Sequence, residues 1–384
     1  MKLENREKTL HPQQSKKILD LLTPPIISKI KNRINIQRFD FKKWFEAFKT
    51  QEKLPEDLVT MIEYFLKTPE YQDSSKFWNH LNKQNIQQIQ REGLENIKQT
   101  VALNYFTWVN DLAIGYSSGL IKEVTPINIM IPFQEIMKKH MLFSNSQSIS
   151  FNLFTVVLYH YVKSIGITQE QMLAARDPLE GNPPSIEIEG MQVSQDMLNS
   201  LLEFKSINKG MKNSDFKSVL EVGAGYGRTA YCLMNLVPGL KYYIVDIPPA
   251  LYISQSYLSK VLLGKNVFKF RPIISSKQNS AEMEQADIVF ITPDQLQFLK
   301  DKSIDIVIAI SSIHEMKREA VKFYFDAADR LANNFYYKCW EKQSIVTENI
   351  NYGIEDYPIK KHWQKIFLNK TVVPSDFFEA FYKL

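Results

Sequence analysis

The stretch Val219-Leu220-Glu221-Val222-Gly223-Ala224-Gly225-Tyr226-Gly227-Arg228 decides how this chain is read. An apolar, β-branched run ends on a carboxylate and opens into three glycines at alternate positions. Glycine lets the chain turn sharply and brings bare backbone against a ligand. About twenty residues later Tyr242-Tyr243-Ile244-Val245-Asp246 closes a second apolar run on another carboxylate. In an α/β nucleoside-binding domain, a carboxylate past the second strand can take both ribose hydroxyls. The spacing is Gly-x-Gly-x-Gly behind Glu221, not the Gly-x-Gly-x-x-Gly that cradles a pyrophosphate. A nucleoside cofactor without a pyrophosphate is therefore expected, and S-adenosylmethionine is such a molecule.

Outward from this motif the pattern alternates. Strands are expected at 218–222, 241–246, 286–291, 304–311 and 334–340, with helices at about 227–237, 249–263, 294–301 and 317–332. Apolar strands interleaved with helices predict a mostly parallel sheet covered on both faces. The tail adds two candidate strands, Trp363–Val373 and Phe377–Leu384, as an antiparallel pair at the end of the sheet. Upstream, Leu58 to Leu66, Ile86 to Ile97 and Leu153 to Val162 carry apolar residues at helical or buried-helix spacing. Asp177-Pro178-Leu179-Glu180-Gly181-Asn182-Pro183-Pro184 cannot continue a helix. It marks a boundary between a mainly helical domain, 1–185, and an α/β domain, 186–384. A helix restarts near Ser194, with Asp196 in its first turn.

Composition bounds the function. The 384 residues are 44% hydrophobic and 12% aromatic, ample for a core. The 47 basic and 42 acidic residues leave a net charge of +5 with no long basic block, so no nucleic-acid partner is expected. Cys232 and Cys339 sit in apolar segments and read as buried free thiols. The polar start Met1-Lys2-Leu3-Glu4 is unlike a signal peptide, and no apolar run approaches the ~20 residues that span a bilayer. A soluble, cytoplasmic protein is the expectation. The histidines show no ligand spacing, and no metal constellation is expected.

Five further positions bear on the chemistry. Asp294, after Ile288-Val289-Phe290-Ile291-Thr292-Pro293, suits either the adenine amine or a helix cap. Tyr226 can cover the amino-acid end of a cofactor or simply pack. Ile304 to Ser311 is a buried strand that runs straight into Ser312-Ile313-His314-Glu315-Met316. Methyl transfer to a hydroxyl needs a base for the departing proton, and an imidazole oriented by a carboxylate supplies one. His314 with Glu315 is that pair, the alternative being a structural histidine at a helix start. Asp305 is expected to bond backbone at the start of its strand.

Residues 218–246 and 304–316 resemble class I S-adenosylmethionine-dependent methyltransferases. More narrowly, the chain resembles a bacterial family of sugar O-methyltransferases. The matching pieces are Phe77-Trp78-x-x-Leu81, Asn104-Tyr105-Phe106-x-Trp108, Glu180-Gly181-Asn182-Pro183, Ser194-Gln195-Asp196-x-x-Asn199-Ser200, Asp246-Ile247-Pro248-Pro249 and Ser311-Ser312-Ile313-His314-Glu315-Met316. The resemblance implies a Rossmann-like, seven-stranded, mostly parallel sheet with helices on both faces, preceded by the helical domain. It implies that Glu221, Gly223, Gly225, Gly227, Asp246, Asp294 and Gln195 hold the cofactor, with Asp196 beside them. It implies His314 and Glu315 as catalytic pair, a sugar or glycan acceptor, and Asn104, Tyr105 and Trp108 facing the pocket. The helical domain would cap the site, bind the acceptor or form a homodimer. Two other functions stay open: a NAD-dependent nucleotide-sugar oxidoreductase or epimerase, and a non-catalytic S-adenosylmethionine-binding module.

Overall fold

A computed structural model describes residues 39–69, 75–99, 146–212, 216–272, 277–345 and 350–384. The N-terminal part is helical: α1 (Phe41–Gln51), α2 (Glu56–Phe65), α3 (Lys76–Glu92), α4 (Ser146–Ser164) and α5 (Gln169–Ala174). A short hairpin, β1 (Ser185–Ile188) and β2 (Met191–Ser194), then leads into α6 (Gln195–Gly210). Ser194 starts that helix by accepting the Met197 N–H at 3.0 Å, as its sequence suggests.

The α/β part follows as β3 (Ser218–Val222), α7 (Arg228–Leu236), β4 (Lys241–Val245), α8 (Ala250–Val261), β5 (Val267–Phe268), α9 (Lys277–Gln285), β6 (Ile288–Ile291), β7 (Ile304–Ile310), α10 (Arg318–Leu331) and β8 (Ala332–Trp340). A side hairpin, β9 (Lys342–Ile345) and β10 (Ile350–Gly353), precedes β11 (Gln364–Lys370) and β12 (Phe377–Lys383). The strand order is β11-β12-β8-β7-β3-β4-β6-β5. Strands β5 to β8 and β3 to β4 are parallel, and β12 inserts antiparallel against β8 with β11 outside it. The expected antiparallel tail is therefore present. The sheet has eight strands where seven were expected, because Val267–Phe268 adds a two-residue edge to β6. Asp305 accepts the N–H groups of Lys217 and Ser218 at 2.7 and 2.9 Å, pinning the start of β7 to β3.

Alternation along the strands supplies two cores. Val219, Tyr242, Ile244, Phe290 and Ile308 point to one face, where α6, α7 and α8 pack together with Phe41, Phe45, Leu58, Met61 and Ile62 of the N-terminal helices. Leu220, Val222, Val245, Ile291 and Val307 point to the other, covered by Met283 of α9 and Val321, Phe325 and Ala328 of α10. A third cluster joins α4, α5 and the β1–β2 hairpin to Met197, Leu198 and Leu201 of α6. Cys232 and Cys339 are buried and free, as expected. Among the described residues no helix is long and apolar enough to cross a membrane.

Candidate functional site

Strands β3 and β7 are neighbours, and the chain leaves β3 for β4 on one side and β7 for β8 on the other. A crevice at their carboxyl ends is the place where open α/β sheets bind ligands. The glycine loop forms its floor. Gly223, Gly225 and Gly227 have φ of +74°, +62° and +94°, a backbone that side-chain-bearing residues rarely adopt. Gly223 is needed twice over, since a Cβ there would stand 2.5 Å from the Cβ of Ser312. That crowding has a cause. Ser311 also takes a positive φ, +54°, at the end of β7, and the turn lets Ser312 Oγ donate to the Val222 carbonyl at 2.7 Å. The ends of β3 and β7 are thus tied together over the glycine.

Asp246 stands at the end of β4, where it was expected. Its carboxylate accepts the Ile247 N–H at 2.7 Å and the Gly225 N–H at 3.3 Å. It does not cap α8, which starts at Ala250 after Pro249. Burial pushes its pKa up to about 7, against the backbone N–H groups that favour the charge. A carboxylate held this way by the glycine loop, with a cavity beside it, fits a ribose diol. The cavity measures about 160 Å³, and Gly223, Asp246, Ile247, Pro293, Ser311 and Ser312 form its sheet-side wall. Trp78, Met316, Phe323 and Tyr324 contribute to the remainder.

Of the other expected positions, Glu221, Asp294, Gln195 and His314 are not among the residues that line this cavity. Glu221 is buried and accepts the Tyr242 hydroxyl at 2.8 Å; burial raises its pKa to about 7, with the Tyr242 bond and Arg228 acting the other way. Asp294 accepts Tyr64 Oη at 2.5 Å and Thr292 Oγ1 at 2.7 Å, and its neighbour Pro293 reaches the cavity wall. Thr292, with Gln295, caps the turn Pro293–Phe298, so Asp294 is not itself the cap. His314 is 1% exposed, packed edge-on against Phe377 and Trp340, and is not among the residues that line the cavity. Its Nε2 lies 3.6 Å from Glu315 Oε1, and its Nδ1 has no hydrogen-bond partner. Asn104, Tyr105 and Trp108 lie outside the described residues.

Gln195 is 2% exposed at the start of α6, and both of its amide atoms lack partners. So do Asp196 Oδ1 and Asn199 Oδ1 on the same turn. Buried polar atoms are nearly always paired, so a cluster of orphans calls for a ligand or water. Asp196 ties this turn to the glycine loop, accepting Tyr226 Oη at 2.6 Å through Oδ2. Burial raises its pKa to about 6, with Arg228 and the Tyr226 bond opposing. The set offers amide N–H to a carboxylate and oxygens to an ammonium, which fits the amino-acid end of S-adenosylmethionine.

Beneath it runs a charge network that the sequence does not announce. Arg228 makes a two-pronged contact with Glu203 at 2.6 and 2.9 Å, and Lys338 reaches the same carboxylate at 3.4 Å. Burial alone would raise the Glu203 pKa, but Arg228 and Lys338 outweigh it and hold the group below its ordinary value. Lys98 pairs with Asp177 at 3.1 Å and lies over the rings of Tyr257 and Tyr226. Ser194 donates to the same Asp177. Pairings between residues this far apart in the chain leave no periodic trace.

No family model and no curated protein matches this sequence. Solved structures similar to it include the protein PH0226 of Pyrococcus horikoshii OT3, 15% identical over 47% of this chain and 91% of that one, with a TM-score of 0.33. A SAM dependent methyltransferase from Aquifex aeolicus is 16% identical over 46% of this chain and 87% of that one, at 0.31. The glycopeptide N-methyltransferase MtfA is 15% identical over 47% and 94%, at 0.33. The fold itself rests on the strand order: a Rossmann-like parallel sheet closed by an antiparallel pair, the class I methyltransferase arrangement.

Proposed function

We propose that this chain is an S-adenosylmethionine-dependent methyltransferase. The observation that carries the reading is Asp246, held by the Gly225 amide at the end of β4 and facing a cavity floored by Gly223. Glu221, Gly227 and Asp294 support that floor and rim, and Gln195 takes the amino-acid end. Bound there, the cofactor supplies an electrophilic methyl group on a sulfonium. The chain's own task is to orient donor and acceptor and to exclude water.

For the finer chemistry we propose transfer to a hydroxyl of a sugar or glycan precursor, with residues 1–185 contributing to acceptor binding. His314 receives the hydroxyl proton and Glu315 orients the ring. The support is the placement of this pair on the turn that follows β7, between the cavity-lining residues Ser312 and Met316 in the chain, with Nδ1 unpartnered. Since the ring is 1% exposed, that role requires the turn to move toward a bound acceptor.

Calorimetry on the purified chain with S-adenosylmethionine, S-adenosylhomocysteine and NAD tests the proposal. Binding of the first two, lost in Asp246→Ala, is the expected result. Binding of NAD alone would replace it with the oxidoreductase reading.

A further inference from the structure

We infer that Trp78 is the stacking wall of the adenine pocket, so that the N-terminal helices are an integral part of the cofactor site. The inference rests on the methyltransferase reading above and adds to it a residue outside the α/β domain. Its starting point is direction. The ribose position is fixed by Asp246, and the amino-acid end by the orphaned polar atoms of Gln195, Asp196 and Asn199 near the glycine loop. The base must then extend the other way, past Ile247 and Pro293. Trp78, Phe323 and Tyr324 line the same cavity as Ile247 and Pro293 and offer it flat, mainly apolar surfaces. A purine presents a π-face that stacks on such a ring whatever its edges bond to.

The placement of Trp78 is built into its surroundings. Ser75, itself buried and on the cavity wall, caps α3 by accepting the Trp78 N–H at 3.0 Å. Pro69, beyond the end of α2, lines the same cavity. An independent contact anchors α2 at this rim. Tyr64 Oη donates to Asp294 Oδ2 at 2.5 Å, and the Tyr64 ring meets Phe270 edge-on at 5.4 Å. Asp294 suits by its position in the sequence either the adenine amine or a helix cap, and Thr292 takes the cap. Two separate N-terminal elements therefore converge on the base end of the cavity, and neither belongs to the sheet that holds the ribose.

The test is calorimetric titration of the full chain with S-adenosylhomocysteine and with 5′-methylthioadenosine, which keeps base and ribose but lacks the amino-acid end. Trp78→Ala should weaken both ligands by roughly 10- to 100-fold, the range set by base–aromatic stacking. Trp78→Phe should recover most of the loss. Trp78→Phe should also abolish the ligand-induced change in tryptophan emission, which keeps the inference testable if the alanine variant does not fold. If wild type binds neither ligand, the methyltransferase reading fails and takes this one with it. If wild type binds, Asp246→Ala does not, and Trp78→Ala binds as wild type does, this inference alone is overturned. A loss seen with S-adenosylhomocysteine but not with 5′-methylthioadenosine would overturn it too, because Trp78 would then touch the amino-acid end.

Discussion

At Asp246, burial and ligand binding pull in opposite directions. In the free chain the carboxyl has a pKa of about 7, because water is excluded from it more effectively than backbone N–H groups compensate. Accepting two ribose hydroxyls favours the ionised form. Affinity for S-adenosylhomocysteine should therefore rise with pH up to about 7, by at most tenfold per unit for one proton, and level off above. Asp246→Asn should bind more weakly and lack that rise; an equal slope in the variant would assign the titration to another group. The stability consequence has a definite sign. A carboxyl whose folded pKa is raised gives stability that is full below its unfolded value and lost as pH climbs through the folded one. Relative to Asp246→Asn, urea stability of the free wild type should fall between the ordinary carboxylate range and about pH 7. His314 makes a different prediction. His314→Ala should bind S-adenosylhomocysteine normally and lose methyl transfer by roughly two to four orders of magnitude. Turnover equal to wild type would remove its role as base.

At the scale of elements, two features can be separated by substitution. Gly223 and Gly190 share a positive φ, but a Cβ at Gly190, in the β1–β2 turn, meets nothing within 4 Å. Gly190→Ala should cost about 1 kcal/mol, the left-handed penalty alone. Gly223→Ala should cost about 1–3 kcal/mol more, because Ser312 has to shift and release the end of β3. Equal losses in thermal denaturation would show that close approach is not what demands the glycine. Glu203 joins α6 to Arg228 on α7 and Lys338 on β8, with its side chain 2% exposed. Glu203→Gln leaves the buried Lys338 and the part-buried Arg228 short of their counter-charge and should cost about 3–5 kcal/mol in urea unfolding. A loss below about 1 kcal/mol would mean that water or another carboxylate replaces it. The strands of this region were legible because each is a β-branched or aromatic run between turn residues. The hairpin 185–194 was not read, although Ser185-Ile186-Glu187-Ile188 alternates and Glu189-Gly190 is a turn word. Val267–Phe268 is too short to show a period at all. The segment after Pro293 was expected to be a helix to 301 and stops as a short 3₁₀ turn at Phe298, where Leu299 turns inward. Asp246 and the glycines were legible because their chemistry is local. Trp78 and Ser312 stood in the resembling segments without a role, and neither their roles nor the Glu203 network were legible, because their partners lie far off in the chain.

Among the described residues, contacts cross the place where the composition changes. Prolines and a glycine near 177–184 suggest a boundary, yet Lys98, Asp177 and Ser194 form one buried polar contact across it. The apolar evidence points the same way. Phe41, Phe45, Leu58, Met61 and Ile62 belong to the same core as Tyr257, Leu258 and Phe270 of the α/β part. Burying each large apolar side chain contributes about 1.5–3 kcal/mol, so removing α1 and α2 would expose the face of α8 against which α2 packs. The full chain should accordingly unfold in one calorimetric transition whose measured enthalpy matches its van't Hoff enthalpy. A variant beginning at residue 186 should be insoluble or expanded, with its tyrosine-rich face open to solvent. Two resolved transitions, or a compact fragment from residue 186 onward that binds S-adenosylhomocysteine as tightly as the full chain, would contradict this. Either would also make the N-terminal helices an accessory rather than a wall of the site, since Trp78 and Tyr64 reach the base end only if α2 and α3 remain docked on this shared core.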